Sequence, residues 1–275
     1  MNKEIIIFSD LDGTLLNHKN FSFDEILVFF KKISKKTIII PNTSKTFSEV
    51  KKICEDSFLK NPFIVENGSA IFIPINLKLT LTNKLQTQEG YYKLVLGSNL
   101  EDLIKFTNLE KCKKFISKCS FLYKMNIKEL KESTGLSNSI LMNSKKRDFS
   151  LPFLWNGTKE LFEKFNFIVN SHNYKILKGG RFYHLIGNVD KGKALKLILK
   201  IYKNTFKKKF LSISLGDSPN DIAMLENTDY SGIVKAFSNK KLYLKKDKDV
   251  FYSSIVAPKG WEQVLKMMPP IKKIN

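Results

Sequence analysis

Residues 10–14 read Asp10-Leu11-Asp12-Gly13-Thr14, directly after the apolar run Ile5-Ile6-Ile7-Phe8. Alternate residues of a strand share a face, so Asp10 and Asp12 look into one crevice at the strand's end while Gly13 lets the chain turn beside them. Open α/β sheets carry their chemistry at such ends. An Asx-rich turn after a strand is the plainer reading of the pentapeptide alone. Three further segments belong with it: Thr43-Ser44-Lys45, Lys191-Gly192, and Gly216-Asp217-Ser218-Pro219-Asn220-Asp221. In the last, Ser218 suits an N-cap with Pro219 at the first helical position and Asp221 at the third, which fixes Asp217 at a strand tip. A hydroxyl, an ammonium and clustered carboxylates are what phosphoryl transfer requires: a nucleophile, a cation to offset crowded negative charge, and donors for the phosphoryl oxygens.

The elements that position these residues follow from periodicity. Strands are expected at Glu4 to Phe8, Thr37 to Ile40 and Phe63 to Val65, with helices entered by the capping-box spacings Ser22 to Glu25 and Thr46 to Glu49. The rhythm resumes with a helix from Lys191 to Tyr202, a strand at Leu211 to Leu215, a helix from Pro219 to Glu226 and a strand near Ser231 to Val234. Such alternation predicts an α/β fold with a doubly wound parallel sheet. Residues 85–187 mix strand-like and helix-like pieces punctuated by Gly90, Gly97, Gly135 and Gly157. They read as an inserted α+β cap domain, leaving 1–84 and 188–275 as a Rossmann-like catalytic core.

A length of 275 residues with 43% apolar content suits two domains or one with a large insertion. No stretch approaches the ~18 apolar residues of a membrane helix. The N-terminal residues are unlike a secretion signal, and the three cysteines Cys54, Cys112 and Cys119 lack metal-like spacing. A cytoplasmic protein without membrane attachment is expected. The 47 basic and 26 acidic residues give a net charge of +21, but the lysines are scattered in twos and threes and no nucleic-acid motif accompanies them. Lysine has replaced arginine almost everywhere, so the two arginines, Arg147 and Arg181, stand out. Only arginine offers a planar fork that grips a carboxylate or phosphate with parallel hydrogen bonds.

Together the four segments resemble the four motifs of the haloacid dehalogenase (HAD) superfamily of phosphohydrolases. The resemblance implies that Asp10 attacks phosphorus and that Asp12 is the general acid and base. Magnesium would be held by Asp10, the Asp12 carbonyl and Asp217, with Asp221 acting through water. Thr43 and Lys191 would hold the transferring phosphoryl group. For Asp221 a second reading is support of the helix cap. Gly187-Asn188-Val189-Asp190-Lys191-Gly192-Lys193-Ala194 nearly spells a nucleotide-binding P-loop, but Ala194 has no hydroxyl for magnesium.

A closer resemblance covers Thr43-Ser44-Lys45-Thr46, Pro62-Phe63-Ile64-Val65-Glu66-Asn67-Gly68, Arg147-Asp148-Phe149-Ser150 with Pro152, Gly179-Gly180-Arg181-Phe182-Tyr183-His184, Asp190-Lys191-Gly192 and Gly216-Asp217-Ser218-Pro219-Asn220-Asp221. These look like the mannosyl-3-phosphoglycerate phosphatases, which release the compatible solute mannosylglycerate and in some cases accept the glucosyl analogue. The match is weakest between residues 76 and 140. It implies a small anionic sugar-glycerate substrate, with the glycerate carboxylate left for Arg181 or Arg147. Ser44, Lys45, Asn67, Gly68, Ser150, Gly179, Gly180 and His184 would supply further contacts. His184 also reads as a satisfied structural histidine, and Gly179-Gly180 as a tight turn. The alternatives are a related sugar phosphatase acting on sucrose phosphate or hexose phosphates, a phosphomannomutase-type transferase, or a nucleic-acid-binding protein supported by charge alone.

Overall fold

In the computed structural model, Ile5–Ser9 lies inside a five-stranded parallel sheet. From edge to edge the strands are Val250–Tyr252, Tyr230–Ile233, Leu211–Gly216, Ile5–Ser9 and Ile38–Pro41. The structure describes residues 4–57, 59–81, 85–134, 138–179, 181–236 and 242–274. The expected domain boundary at residue 84 lies outside them. Period-two alternation sorts the central strand's side chains. Ile5 and Ile7 pack with Phe29, Phe30, Ile33 and Trp261, while Ile6 and Phe8 pack with Ala194, Leu195 and Ile198. A strand covered on both faces has to be apolar throughout, which is why this run carries no polar alternation.

Register brings the functional segments level. Ser9 pairs with Leu215 on one side and Pro41 on the other, so Asp10, Asn42 and Gly216 emerge together at the carboxyl end of the sheet. The Lys191–Phe206 helix is capped by Asp190, whose Oδ1 accepts from Lys193 N at 2.8 Å. That carboxylate serves as an N-cap, not as part of a P-loop. At Phe47–Ser57 the expected capping box forms: Thr46 N donates to Glu49 Oε2 at 2.9 Å and Glu49 N to Thr46 Oγ1 at 3.3 Å.

Two local expectations are corrected. Ser22 and Glu25 do not form a capping box. Ser22 Oγ instead accepts from Asp24 N at 2.9 Å, and a 3-10 turn at Asp24–Ile26 leads into the helix Leu27–Lys36. Phe63–Val65 does not extend the parallel sheet, which it meets only through a single Asn42–Ile64 bridge among the described residues. Glu66, Asn67 and Gly68 have φ of 47°, 61° and 94°. This left-handed run turns the chain back, so Phe63–Val65 pairs antiparallel with Ala70–Pro74. Tyr91–Val95 and Gln86–Gln88 complete that second sheet, so residues 86–95 of the segment read as inserted pair onto the strands that precede it.

A third, antiparallel sheet runs Cys119–Phe121, Ser150–Trp155, Tyr183–Gly187, Tyr174–Lys178. The helices Leu100–Thr107 and Lys159–Ser171 bury Leu103, Phe106, Phe165 and Val169 against its Leu151, Phe153 and Leu185. The fold is therefore α/β with an inserted α+β layer. No helix among the described residues is long and apolar enough to cross a membrane.

Candidate active site

Asp10 is held from behind. Its N–H donates to Leu215 O at 2.9 Å, and its carbonyl accepts from Ser9 Oγ at 2.7 Å. Ser9 Oγ in turn accepts from the buried Trp261 Nε1 at 3.0 Å. Gly13 follows with φ +78°, and a Cβ there would sit 2.7 Å from Asp217 Oδ2, so only glycine fits between the two segments.

Lys191 Nζ lies 2.7 Å from Asp10 Oδ1 and 2.6 Å from Asp221 Oδ1, fully buried. Burial alone would lower the lysine's pKa, but Asp10 and Asp221 overcome it and hold the ammonium above its ordinary value. Asp221 uses its other oxygen as the cap of the following turn, with Oδ2 accepting from Asp217 N at 3.1 Å and Ser218 N at 3.0 Å. The helix-cap reading of Asp221 is the one this geometry shows, with the other oxygen held by Lys191.

Asp10, Asp217 and Asp221 place carboxylate oxygens within 4.8 Å of one another. Three carboxylates around one ammonium leave excess negative charge. Burial, reinforced by Asp221 against the pull of Lys191, pushes Asp10 up to about 7. Burial and the charges of Asp221 and Asp10 push Asp217 well above the usual carboxylate range, against a 3.0 Å hydrogen bond from Thr14 Oγ1 to its Oδ1. Asp10 Oδ1 and Asp217 Oδ1 are engaged, and no described residue donates to the second oxygen of either. An all-oxygen, over-charged cluster of this kind suits a hard divalent cation.

A cavity opens above the cluster, and both layers line it. The sheet side contributes Asp10, Asp12, Ser44, Lys45, Asp217, Ser218 and Asn220. The inserted layer contributes Arg147, Arg181, Phe182 and His184. Of the residues singled out from sequence, Asp10, Asp12, Asp217, Ser44, Lys45, Arg147, Arg181 and His184 therefore converge on one space. Lys45 is already paired there, with Nζ 2.8 Å from Asp12 Oδ2 and 3.5 Å from Glu49 Oε1. Arg147 Nη1 donates to Ser44 O at 3.0 Å and to Ser150 Oγ at 3.1 Å, tying the insert to the parallel-sheet layer. Burial and the positive charges of Arg147, Lys191 and Lys178 hold His184 well below its ordinary pKa, so its imidazole is neutral. Asp12 Oδ1, Arg147 Nε and His184 Nδ1 are buried at the cavity without a hydrogen-bond partner. Such orphaned atoms suit a ligand.

The others sit behind the wall. Thr43 is fully buried, with Oγ1 accepting from Lys45 N at 3.3 Å. Asn67 Oδ1 accepts from Asn220 Nδ2 at 2.8 Å, orienting a lining residue from beneath. Gly68 allows close packing on the Lys191 helix: a Cβ there would lie 2.2 Å from Asp190 O. Ser150 Oγ donates to Glu66 at 2.5 Å, and Gly179 packs on the His184 ring. Gly180 lies outside the described residues. The sequence reading missed His18, Phe21, Glu49, Leu122 and Ser144 as lining residues and Glu66 as an anchor. Glu66 accepts from Asp148 N at 3.0 Å and Phe149 N at 3.2 Å, and its place beside Asn67-Gly68 was the available signal. Nothing in the sequence marks His18 or Phe21.

The model of the haloacid dehalogenase-like hydrolase family matches residues 7–245. A glucosyl-3-phosphoglycerate/mannosyl-3-phosphoglycerate phosphatase of Persephonella marina is 34% identical over 262 residues, covering 94% of this chain and 95% of the relative. Its namesake in Methanococcoides burtonii is 29% identical over 274 residues, with the same coverage. Among solved structures, a phosphatase of the haloalkanoate enzyme superfamily from Bacteroides thetaiotaomicron superposes with a TM-score of 0.65 at 15% identity, covering 95% of this chain and 94% of that one. The sucrose-phosphatase of Synechocystis superposes at 0.60 with 11% identity, covering 96% and 98%. Both support the fold. The motif order, the carboxylate cluster around Lys191 and the family match agree: the chain belongs to the haloacid dehalogenase-like hydrolases, as a phosphatase of that family.

Proposed function

We propose that the protein is a magnesium-dependent phosphatase of mannosyl-3-phosphoglycerate that also accepts the glucosyl analogue. The observation that carries this reading is one cavity lined by Asp10 and Asp217 of the carboxylate cluster, with Lys191 buried against Asp10, and by Arg147 and Arg181 of the insert. A substrate with a phosphate at one end and a carboxylate at the other needs both. The two relatives named for this activity span nearly the whole chain, which supports the same choice.

An Asp10 oxygen attacks phosphorus in line, and the phosphorus–oxygen bond to the ester oxygen breaks. Asp12 is the group placed to pass a proton to the departing alkoxide. Asp12, now a carboxylate, takes a proton from water as that water attacks the aspartyl phosphate. The Asp10–phosphorus link breaks, and phosphate leaves. Lys191 offsets charge at Asp10, and Thr43, buried just past the Ile38–Pro41 strand, holds the segment that carries Ser44 and Lys45 by accepting from Lys45 N. Magnesium would be held by Asp10, the Asp12 carbonyl and Asp217, with Asp221 through water, and supplies positive charge against the phosphoryl oxygens. We propose that the α+β layer acts as the cap, bringing Arg147, Arg181 and His184 to a generic floor and excluding water.

The test is phosphate release from mannosyl- and glucosyl-3-phosphoglycerate, sucrose 6-phosphate and hexose phosphates, with magnesium and with EDTA. The proposal expects the glycosyl-phosphoglycerates to be preferred and EDTA to stop release. Preference for sucrose or hexose phosphates would move the protein to the general sugar phosphatases.

A further inference from the structure

Phe21 has φ +56°, a left-handed conformation that a bulky aromatic residue rarely adopts. Glycine or asparagine would take it at less cost, as Asn67 and Asn173 do elsewhere in the chain. The loop enforces it. Phe21 N donates to Asn17 O at 2.9 Å, Asn17 N to Ser22 O at 2.8 Å, and Ser22 N to Asn20 Oδ1 at 3.1 Å. Strain that the surroundings over-determine in this way points to a use for the side chain.

The ring's surroundings identify that use. Phe21 lines the reaction cavity together with the insert's Phe182 and Leu122, and Lys45 Nζ sits 5.0 Å from its ring centroid. A second pocket lies on the other side, bounded by Asn20, Lys52, Ile53, Asp56 and Asn143. Phe21, Lys45 and Glu49 border both spaces. Of the three, Lys45 and Glu49 are paired with each other and Lys45 with Asp12, whereas Phe21 is an apolar plate on a separate loop. The second pocket has exposed, polar margins in Asn20, Lys52 and Asp56, suited to hydroxyl-bearing groups.

We propose that Phe21 is a specificity-determining residue: its ring is the partition that closes the reaction cavity toward the second pocket and so limits the length of phosphorylated sugar that reacts. The inference rests on the reading of the cavity as a site of sugar phosphate hydrolysis. A substrate one sugar unit longer meets the ring. Removing the ring joins the two spaces and gives the extra sugar a polar berth.

The experiment compares kcat/KM for sucrose 6-phosphate with that for glucose 6-phosphate in the wild type, Phe21→Gly, Phe21→Asn and Phe21→Tyr. Where turnover is slow, competitive inhibition of p-nitrophenyl phosphate hydrolysis gives the corresponding ratio of binding affinities. Both small replacements accept the left-handed backbone, so the protein stays folded, and Phe21→Gly melts no lower than the wild type. The ratio of disaccharide to monosaccharide is expected to rise about tenfold in Phe21→Gly and Phe21→Asn, the scale of one packing contact in substrate selection. It should stay at the wild-type value in Phe21→Tyr, which keeps the ring. An unchanged ratio in either folded small-residue variant would overturn the partition while leaving the phosphatase reading intact. A wild type that hydrolyses no phosphate ester would overturn both.

Discussion

The Lys45 ammonium lies 2.8 Å from Asp12 Oδ2 and 3.5 Å from Glu49 Oε1, so a lysine expected to meet substrate is engaged by two carboxylates of its own chain. Asp12 and Glu49, with burial opposing them, hold Lys45 above its ordinary pKa. The Lys45 and Glu49 side chains are only 7% and 8% exposed, which makes removal of one partner costly. Lys45→Met should lower the unfolding free energy by about 3 kcal/mol, because Glu49 is left charged and unpaired. Lys45→Met/Glu49→Gln should recover part of that loss, with a coupling of about 1 kcal/mol or more in urea denaturation. Simple additivity would mean that water already screens the pair.

Asp10→Asn should abolish turnover while leaving the fold intact, since an amide of equal size is a far poorer nucleophile. Single-turnover phosphate release from the purified variant is the measurement. Substantial magnesium-dependent release would remove Asp10 from the reaction.

Asp217 crowds Asp10 and Asp221, and burial with those charges holds its carboxyl well above the usual range. Neutralising it relieves that repulsion but takes away a proposed metal ligand. In EDTA, Asp217→Asn should therefore melt above the wild type, a stability gained where function is lost. Added magnesium should raise the wild-type melting temperature and leave the variant's unchanged. Equal magnesium-dependent rises in both proteins would exclude Asp217 as a ligand.

What was legible in the sequence follows physical range. The residues after Ile5–Ser9 and Leu211–Gly216 were readable because strand, turn and cap are local signals, and parallel register then forces Asp10 and Asp217 together. The pairing of Phe63–Val65 was not, because three left-handed residues reverse the chain there and the first of them, Glu66, gives no sign of such a conformation. Arg147 and Arg181 were flagged by rarity, but one clamps the insert onto Ser44 and the other stands exposed at the cavity, a difference no spacing encodes. His18 and Phe21 reach the cavity through a loop conformation set by Asn17, Asn20 and Ser22, so tertiary geometry alone reveals them.

His184 is 5% exposed, with Nδ1 unpartnered, and burial with three nearby cations keeps it neutral. Its folded pKa lies well below the unfolded value of 6.5, so its contribution to stability is fully present above that pH. As pH falls below 6.5 the unfolded chain takes up a proton that the folded protein refuses, and stability declines by about 1.4 kcal/mol per pH unit until the folded pKa is reached. His184→Gln removes that proton uptake. The stability difference between wild type and variant, followed by urea unfolding from pH 8 to pH 5, should shift against the wild type below pH 6.5. Parallel pH profiles would show that the imidazole is free to charge in the folded protein.

Arg181 lines the cavity from the insert, and burial with the charge of Arg181 holds the His18 imidazole, which lines the same cavity, below its ordinary pKa. Its place ahead of Lys191, in a chain that otherwise uses lysine, argues for a fork contact to the glycerate carboxylate. Arg181→Lys keeps the charge but loses the second parallel hydrogen bond. The loss should be on the order of 1.5 to 3 kcal/mol, or roughly ten- to a hundredfold in kcat/KM for glycosyl-3-phosphoglycerate. Hydrolysis of p-nitrophenyl phosphate should change little, because a compound without the carboxylate has no such contact to lose. Equal losses on both substrates would assign Arg181 to the phosphate end or to the fold, and no loss on either would make it a surface charge.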